Sequence, residues 1–156
     1  AAGYGSNLLL NVGPMPNGKI QEEHIESLKK IGKWVKQNGQ TIYNTKRGPI
    51  SPSDEIASTQ NGNIVYIHLL DNNKSEYYIE GFKSKFKNIS YLNSNKKVSY
   101  KKTKTGLHLI LDKKEINSID TILIMELWFV NYLMIILFIV KYLIDFDTFV
   151  LYIFLL

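Results

Sequence analysis

Carboxyl groups are the first side chains to consider for chemistry, because acid–base and nucleophilic catalysis need them in preorganised positions. Glu22, Glu23 and Glu26 fall in a segment with helical periodicity, where we expect them to be solvated. Asp54 and Glu55 are adjacent in a stretch with no periodicity, which does not favour a fixed catalytic pair. We therefore predict that no carboxylate of this chain is catalytic.

The histidines do not indicate a metal site. His24, His68 and His108 share no spacing that would bring them onto one metal ion. The chain has no cysteine, which excludes disulfides and thiolate ligands and leaves the cellular compartment open. We predict no metal, with His24 on the polar face of a helix and the other two on the polar faces of strands.

Lysines are concentrated in residues 96–104, and the whole chain has a formal net charge of +5. A basic run with Tyr100 inside it can indicate nucleic-acid binding. An exposed hairpin whose lysines protect the edge of a sheet accounts for the same pattern, and we prefer that interpretation. No nucleic-acid partner is predicted.

A clear amphipathic helix is predicted at residues 21–38. Its apolar positions recur at steps of three and four residues. They are Ile25, Leu28, Ile31, Trp34 and Val35. Acidic residues come early and lysines late, which suits the helix dipole, and Gly39 is expected to end the helix in a left-handed conformation.

Before the helix, residues 7–14 predict a strand buried on both faces. Three consecutive leucines form a short apolar run, which is typical of a parallel sheet. Gly13 and Pro14 end the run. Strand, short loop and helix together form one βα unit of an α/β fold, and a single unit cannot close a sheet.

After the helix, residues 40–58 are expected to be a connector, with a domain boundary near Ser58. From residue 59 the hydrophobic period changes to two, and six short strands with turns between them predict an antiparallel β-sandwich. The strands are expected at residues 63–70, 76–79, 85–92, 97–101, 107–111 and 121–127. The fold class is thus α/β plus all-β.

Residues 128–156 form an anomalous hydrophobic tail that fits neither domain. The sequence has no charge between Glu126 and Lys141. Three interpretations remain open: out-of-frame or read-through translation, a membrane anchor on a span somewhat short of the ~20 residues a bilayer needs, or an extra element packed on the sandwich. A membrane partner is possible only through this tail.

A family resemblance rests on residues 3–20, GYGSNLLLNVGPMPNGKI, and continues through residues 31–34, 38–39, 41–43 and 48–52. These motifs resemble the last barrel strand and following loop of the α-L-fucosidases, glycoside hydrolase family 29. From residue 56 to residue 127 the resemblance is one of pattern more than identity. The division that it implies is a barrel βα unit with linker at 1–58, a β-sandwich at 59–127 and the tail at 128–156.

The resemblance also implies an activity: retaining hydrolysis of terminal α-L-fucose from glycans, with an Asp nucleophile, a Glu acid/base and no cofactor. Both carboxylates would precede Ala1, and a complete barrel takes about 250 residues against the 156 here. We therefore expect an inactive C-terminal fragment. The compartment implied is periplasmic, extracellular or lysosomal, and the partner is a fucosylated glycan.

The resemblance also bears on one residue, Asn11, and a second function remains open. Asn11 would lie at the carboxyl end of the last strand, where barrel active sites are built, so it either shapes the sugar pocket or caps the turn. The alternative function is a non-catalytic carbohydrate-binding or structural β-sandwich. In that case Tyr77 and Tyr78, or Phe82 and Phe86, would stack on a sugar or simply pack.

Overall fold

The computed structural model describes residues 1–128 and Lys141. In this part of the chain, one α-helix, α1 (Glu22–Asn38), precedes all of the strands and follows a short 3-10 turn at Ala2–Tyr4. Two further 3-10 turns lie at Gly39–Thr41 and Lys113–Glu115. The strands are β1 (Lys46–Arg47), β2 (Ile56–Asn61), β3 (Ile64–Leu69), β4 (Glu76–Glu80), β5 (Phe86–Tyr91), β6 (Ser99–Lys102), β7 (Gly106–Ile110) and β8 (Thr121–Leu127).

Helix α1 forms where the apolar periodicity predicts it, but it does not end in the predicted way. Glu22 and Glu23 lie in its first turn and Lys36 in its last, where each charge interacts favourably with the helix dipole. Gly39 is right-handed (φ −56°) and continues into a 3-10 turn, so its assignment as a left-handed cap is wrong. The carbonyl of Thr41 accepts a hydrogen bond from the Thr59 hydroxyl, so contact with β2 decides how this end of the helix is held.

The predicted strand at residues 7–14 is not formed, apart from an isolated bridge between Pro14 and Ile20. Leu8, Leu9 and Leu10 are 73%, 91% and 52% exposed. A strand exists only when its backbone groups pair with a neighbour, and none of the eight strands of the described chain lies beside this run. The apolar pattern predicts burial against neighbouring strands that these residues do not have.

Two antiparallel sheets make up the rest of the described chain. One has five strands in the order β1-β2-β3-β8-β5, and the other has three in the order β4-β7-β6. All pairings are antiparallel. The six predicted strands are confirmed to within about two residues at their ends.

The two sheets share one apolar core. In β3, Val65, Ile67 and Leu69 are fully buried, as their alternation predicts. The other large core residues come from both sheets, which is the arrangement of two sheets packed face to face. They include Tyr77, Ile79, Phe86, Ile89, Tyr91, Leu107, Leu109, Leu123 and Met125.

The predicted connector contains β1 and the beginning of β2, which its polar composition does not predict. Strand β2 is polar, yet Ser58 and Thr59 are fully buried. Ser58 Oγ accepts from the Ile50 amide and donates to the Ile50 carbonyl, both at 3.0 Å, which fixes the loop after β1 against β2. The predicted boundary at Ser58 thus falls inside a strand, and the five-stranded sheet begins at Lys46.

Segments from the start of the chain lie against the outer face of the five-stranded sheet. A Cβ on Gly3 would come within 2.9 Å of Ala57, so the first turn approaches β2 closely. Trp34 of α1 lies 6.4 Å, centroid to centroid, from the ring of His68 on β3. Helix, large sheet and small sheet therefore follow one another as layers.

The tail predicted at residues 128–156 lies outside the described residues except for Trp128 and Lys141. Within the described ranges, no helix has both the length and the apolar character needed to cross a membrane.

Candidate functional site

The residues that the sequence analysis considered for chemistry are dispersed. Asn11 is exposed in the extended segment before α1, and its proposed role in substrate binding stays a prediction. Glu26 forms an ion pair with Lys29 at 3.1 Å on the surface of α1. Glu55 pairs with Lys74 on the sheet surface. Among the described residues, no group of three or more His, Cys, Asp or Glu is placed to hold a metal ion.

A buried histidine–aspartate pair is the feature that sequence reasoning missed. His68 Nδ1 lies 2.7 Å from Asp120 Oδ2, and the two residues are only 5% and 7% exposed. His68 is on the outer face of the five-stranded sheet, as predicted, but α1 covers it through Trp34. Asp120 immediately precedes β8, whose Thr121 pairs with Leu69 beside His68.

The burial of this pair favours a structural role over a catalytic one. His68 Nε2 and Asp120 Oδ1 are both buried and make no hydrogen bond within the described chain. A general base needs access to the proton that it abstracts, and burial denies that access here. The contact fixes the imidazole orientation under α1 and ties the start of β8 to β3.

The two neighbouring tyrosines of β4 point to opposite faces and cannot form one sugar platform. Tyr77 is 5% exposed and donates its hydroxyl hydrogen to the Asp71 carbonyl. Burial, together with the negative charge of Asp71, raises the pKa of Tyr77 above its ordinary value of 10.0. Tyr78 is 51% exposed on the outer face of the three-stranded sheet. The stacking hypothesis is therefore wrong for Tyr77 and remains only for Tyr78.

The predicted phenylalanine pair also packs. Phe86 is buried in the core, 6.0 Å from Phe82 and in edge contact with Tyr100 at 5.1 Å between ring centroids. The ammonium of Lys102 lies 4.0 Å from the centroid of the Phe86 ring. Phe86 is therefore not available to stack on a sugar.

Lysines surround the edge strand β6, which is exposed along its whole length and confirms the edge interpretation of the basic run. Lys96 pairs with Glu115, and this charge-assisted hydrogen bond raises the pKa of the lysine and lowers that of the carboxyl group. The pair connects the β5–β6 turn to the 3-10 turn before β8.

A depression of about 460 Å³ lies where the β3–β4 turn meets the chain before β8. It is polar and open to solvent. Its lining is Asn72, Asn73, Ser75, Lys113, Ile116 and Ser118. With a single charged side chain, this lining offers hydrogen bonds but no acid–base pair.

Sequence comparison shows that the first part of the chain is similar to one group of enzymes. Residues 1–40 match the family model "Alpha-L-fucosidase". An α-L-fucosidase of Branchiostoma floridae is 48% identical over 42 residues, which are 27% of this chain and 9% of the relative. The tissue α-L-fucosidase of Bos taurus is 40% identical over 67 residues, 42% of this chain and 14% of the relative.

Solved structures extend the similarity beyond the helix into the sheets. The α-fucosidase of Thermotoga maritima in complex with fucose superposes with a TM-score of 0.69 and 27% identity, over 80% of this chain and 31% of that one. The aligned stretches thus span about a seventh or less of the curated relatives and about a third of the solved enzyme. The chain is thus similar to α-L-fucosidases over one portion of their length.

Proposed function

We propose that the chain is the C-terminal part of a retaining α-L-fucosidase that removes terminal α-L-fucose from glycans. Residues 1–45 would supply the last strand and outer helix of a TIM-type (β/α) barrel. Residues 46–127, which contain both sheets, would form the appended β-sandwich. The remainder, 128–156, is proposed as a tail belonging to neither domain.

The observation that carries this proposal is the exposure of Leu8, Leu9 and Leu10 inside the segment that matches the family model. A contiguous run of large apolar side chains in water is unfavourable unless another surface covers it. Part of the α1 stripe is open as well, since Ile31 and Leu28 remain exposed. Flanking barrel strands would cover the leucines and pair the backbone of residues 7–14.

Retaining hydrolysis needs a carboxylate nucleophile and a carboxylic acid about 5–5.5 Å apart. The described carboxylates are exposed, paired with lysines or, for Asp120, held by His68, and we propose none of them as this pair. In the proposal both groups come from the preceding part of the enzyme. This chain would close the barrel and hold its last strand in position, which fixes the pocket geometry.

Asn11 is the residue of this chain that we propose to touch substrate. It follows the three leucines, at the end of the proposed strand from which barrel pockets are built. In the complete enzyme, Asn11→Ala should raise KM for a fucoside about ten-fold, with a smaller effect on kcat if the contact is made equally in the ground and transition states. An unchanged KM would assign Asn11 to the turn alone.

The test of the proposed function is fucose release from 4-nitrophenyl α-L-fucoside. The chain alone should release none, and the chain expressed in frame with the coding sequence before Ala1 should be active and should retain the anomeric configuration. Measurable release by the chain alone would overturn the assignment of the catalytic carboxylates. An inactive complete product would overturn the fucosidase assignment.

A further inference from the structure

The outer face of the three-stranded sheet carries an ordered set of side chains that the proposed hydrolysis does not use. The strand register places Tyr78 of β4, His108 of β7 and Lys101 of β6 in one row across the sheet. The next row on this face contains Glu76 and Ile110. The face lies on the opposite side of the core from α1, since the helix covers the other sheet.

Tyr78 forms the aromatic platform of this face, and its hydroxyl is anchored to the β6–β7 turn. The hydroxyl reaches the Thr103 hydroxyl at 3.1 Å and also bonds the Thr105 hydroxyl. The row between Tyr78 and this turn contains Gly106, which has no side chain, and Glu80. Half of the Tyr78 residue is exposed, so a ligand can reach it from solvent.

Hydrogen-bonding groups of both kinds surround this ring. His108 Nε2 lies 3.0 Å from Glu76 Oε2, so the carboxylate is oriented beside the platform and keeps free acceptor capacity. Lys101, in the row of Tyr78 and His108, supplies an exposed cationic donor. A strongly anionic ligand would meet Glu76 and Glu80, and a strongly cationic one would meet Lys101. The charges match a neutral ligand that both donates and accepts.

We propose that this face, centred on Tyr78 with His108, Glu76 and Lys101 around it, is a binding site for a neutral oligosaccharide. A pyranose ring offers an apolar C–H face for the aromatic platform and hydroxyls that both donate and accept. The site is separate from the proposed catalytic pocket and would hold a glycan on the enzyme without cleaving it. It goes beyond the proposed function, because it requires no hydrolysis.

The experiment uses the full 156-residue chain and isothermal titration calorimetry. The probes are 2′-fucosyllactose, maltohexaose as a neutral glycan without fucose, and dextran sulfate as an anionic polymer. We expect binding of a neutral probe that falls about ten-fold or more in Tyr78→Ala. Tyr78→Phe keeps the platform and should lose less than about three-fold. Tyr43→Ala, which removes another exposed tyrosine away from this face, should bind as the parent does.

Thermal unfolding of each variant separates lost binding from lost folding. If Tyr78→Ala does not fold, Lys101→Met takes its place and should also weaken neutral-glycan binding. No binding of either neutral probe, equal binding by Tyr78→Ala, or binding of dextran sulfate alone would overturn the proposal. None of these results bears on fucoside hydrolysis, so the site and the proposed function fail or stand separately.

Discussion

At the scale of single residues, the His68–Asp120 pair shows how a polar contact can be costly to disrupt without being catalytic. Both partners are buried, and each satisfies one polar atom of the other at 2.7 Å. Removing one partner leaves the second buried without a hydrogen bond. The remaining buried atoms, His68 Nε2 and Asp120 Oδ1, already lack partners within the described chain, so little spare hydrogen bonding is at hand to compensate.

We therefore expect Asp120→Ala to lower the free energy of unfolding by about 2–3 kcal/mol. The chain provides a matched control in the exposed His108–Glu76 contact. Glu76→Ala should cost less than about 1 kcal/mol, because solvent replaces the lost partner. Urea unfolding of both variants measures the difference, and equal costs would contradict the role assigned to burial.

The buried tyrosines predict a loss of stability in alkali. Burial raises the pKa of Tyr77, assisted by the charge of Asp71, and burial likewise raises the pKa of Tyr91. The unfolded chain therefore releases these protons first as the pH rises past about 10. The stabilisation is complete below that pH and is lost between it and the higher folded-state pKa.

Tyr77→Phe should flatten the decline in urea midpoint above about pH 10. At neutral pH the same variant loses the hydrogen bond to the Asp71 carbonyl, at a cost of about 1 kcal/mol. Tyr43→Phe, at an exposed position, is the control. If Tyr77→Phe and the parent decline in parallel, the pH dependence arises from other groups.

At the scale of elements, glycines show where a neighbouring backbone leaves no room for a side chain and where space remains. A Cβ on Gly106 would collide with the Ile79 carbonyl oxygen of the neighbouring strand β4. Gly106→Ala should therefore push β7 from β4 and cost about 1–3 kcal/mol. A Cβ on Gly32, in the middle of α1, would meet nothing within 4 Å. Gly32→Ala should instead stabilise by about 0.5–1 kcal/mol, and thermal unfolding of the two variants should shift in opposite directions.

Periodicity predicted the elements that pack by apolar alternation and failed where polar contacts decide. The helix and six strands follow from spacing alone. Strand β2 does not follow from spacing. Its buried Ser58 and Thr59 hydroxyls form hydrogen bonds with the backbones of Ile50 and Thr41, and no local sequence pattern predicts these contacts. The His68–Asp120 pair likewise depends on the pairing of β3 with β8, a register set by residues 52 positions apart.

For the same reason, the sequence predicts only part of the arrangement at Tyr78. Alternation along a strand places Tyr77 and Tyr78 on opposite faces, so only one of the two could ever have stacked on a sugar. Which of them faces solvent depends on the partner sheet. Packing of the five-stranded sheet on this one buries Tyr77 in the shared core, and the pairing of β4 with β7 sets Tyr78 beside His108.

At the scale of the whole molecule, the described chain has a well-covered part and an open part. The two sheets bury a continuous core, whereas the segment before α1 leaves its leucines in water. Exposed apolar runs promote association. The chain by itself should therefore self-associate through residues 8–10, and a covering barrel surface should suppress this association.

Substitution of Leu9 distinguishes these two situations, because it should leave the stability of the chain alone unchanged and destabilise the complete enzyme. In the chain alone, Leu9→Ser removes an apolar side chain that is 91% exposed, so it should reduce self-association in light scattering without lowering the unfolding temperature. Ile119→Ser, at an isolated position 67% exposed, is the control and should change association little. In the complete enzyme, Leu9 would be buried between barrel strands, and Leu9→Ser should destabilise by about 2–5 kcal/mol. A neutral effect in the complete enzyme would show that residues 8–10 are not a buried strand there.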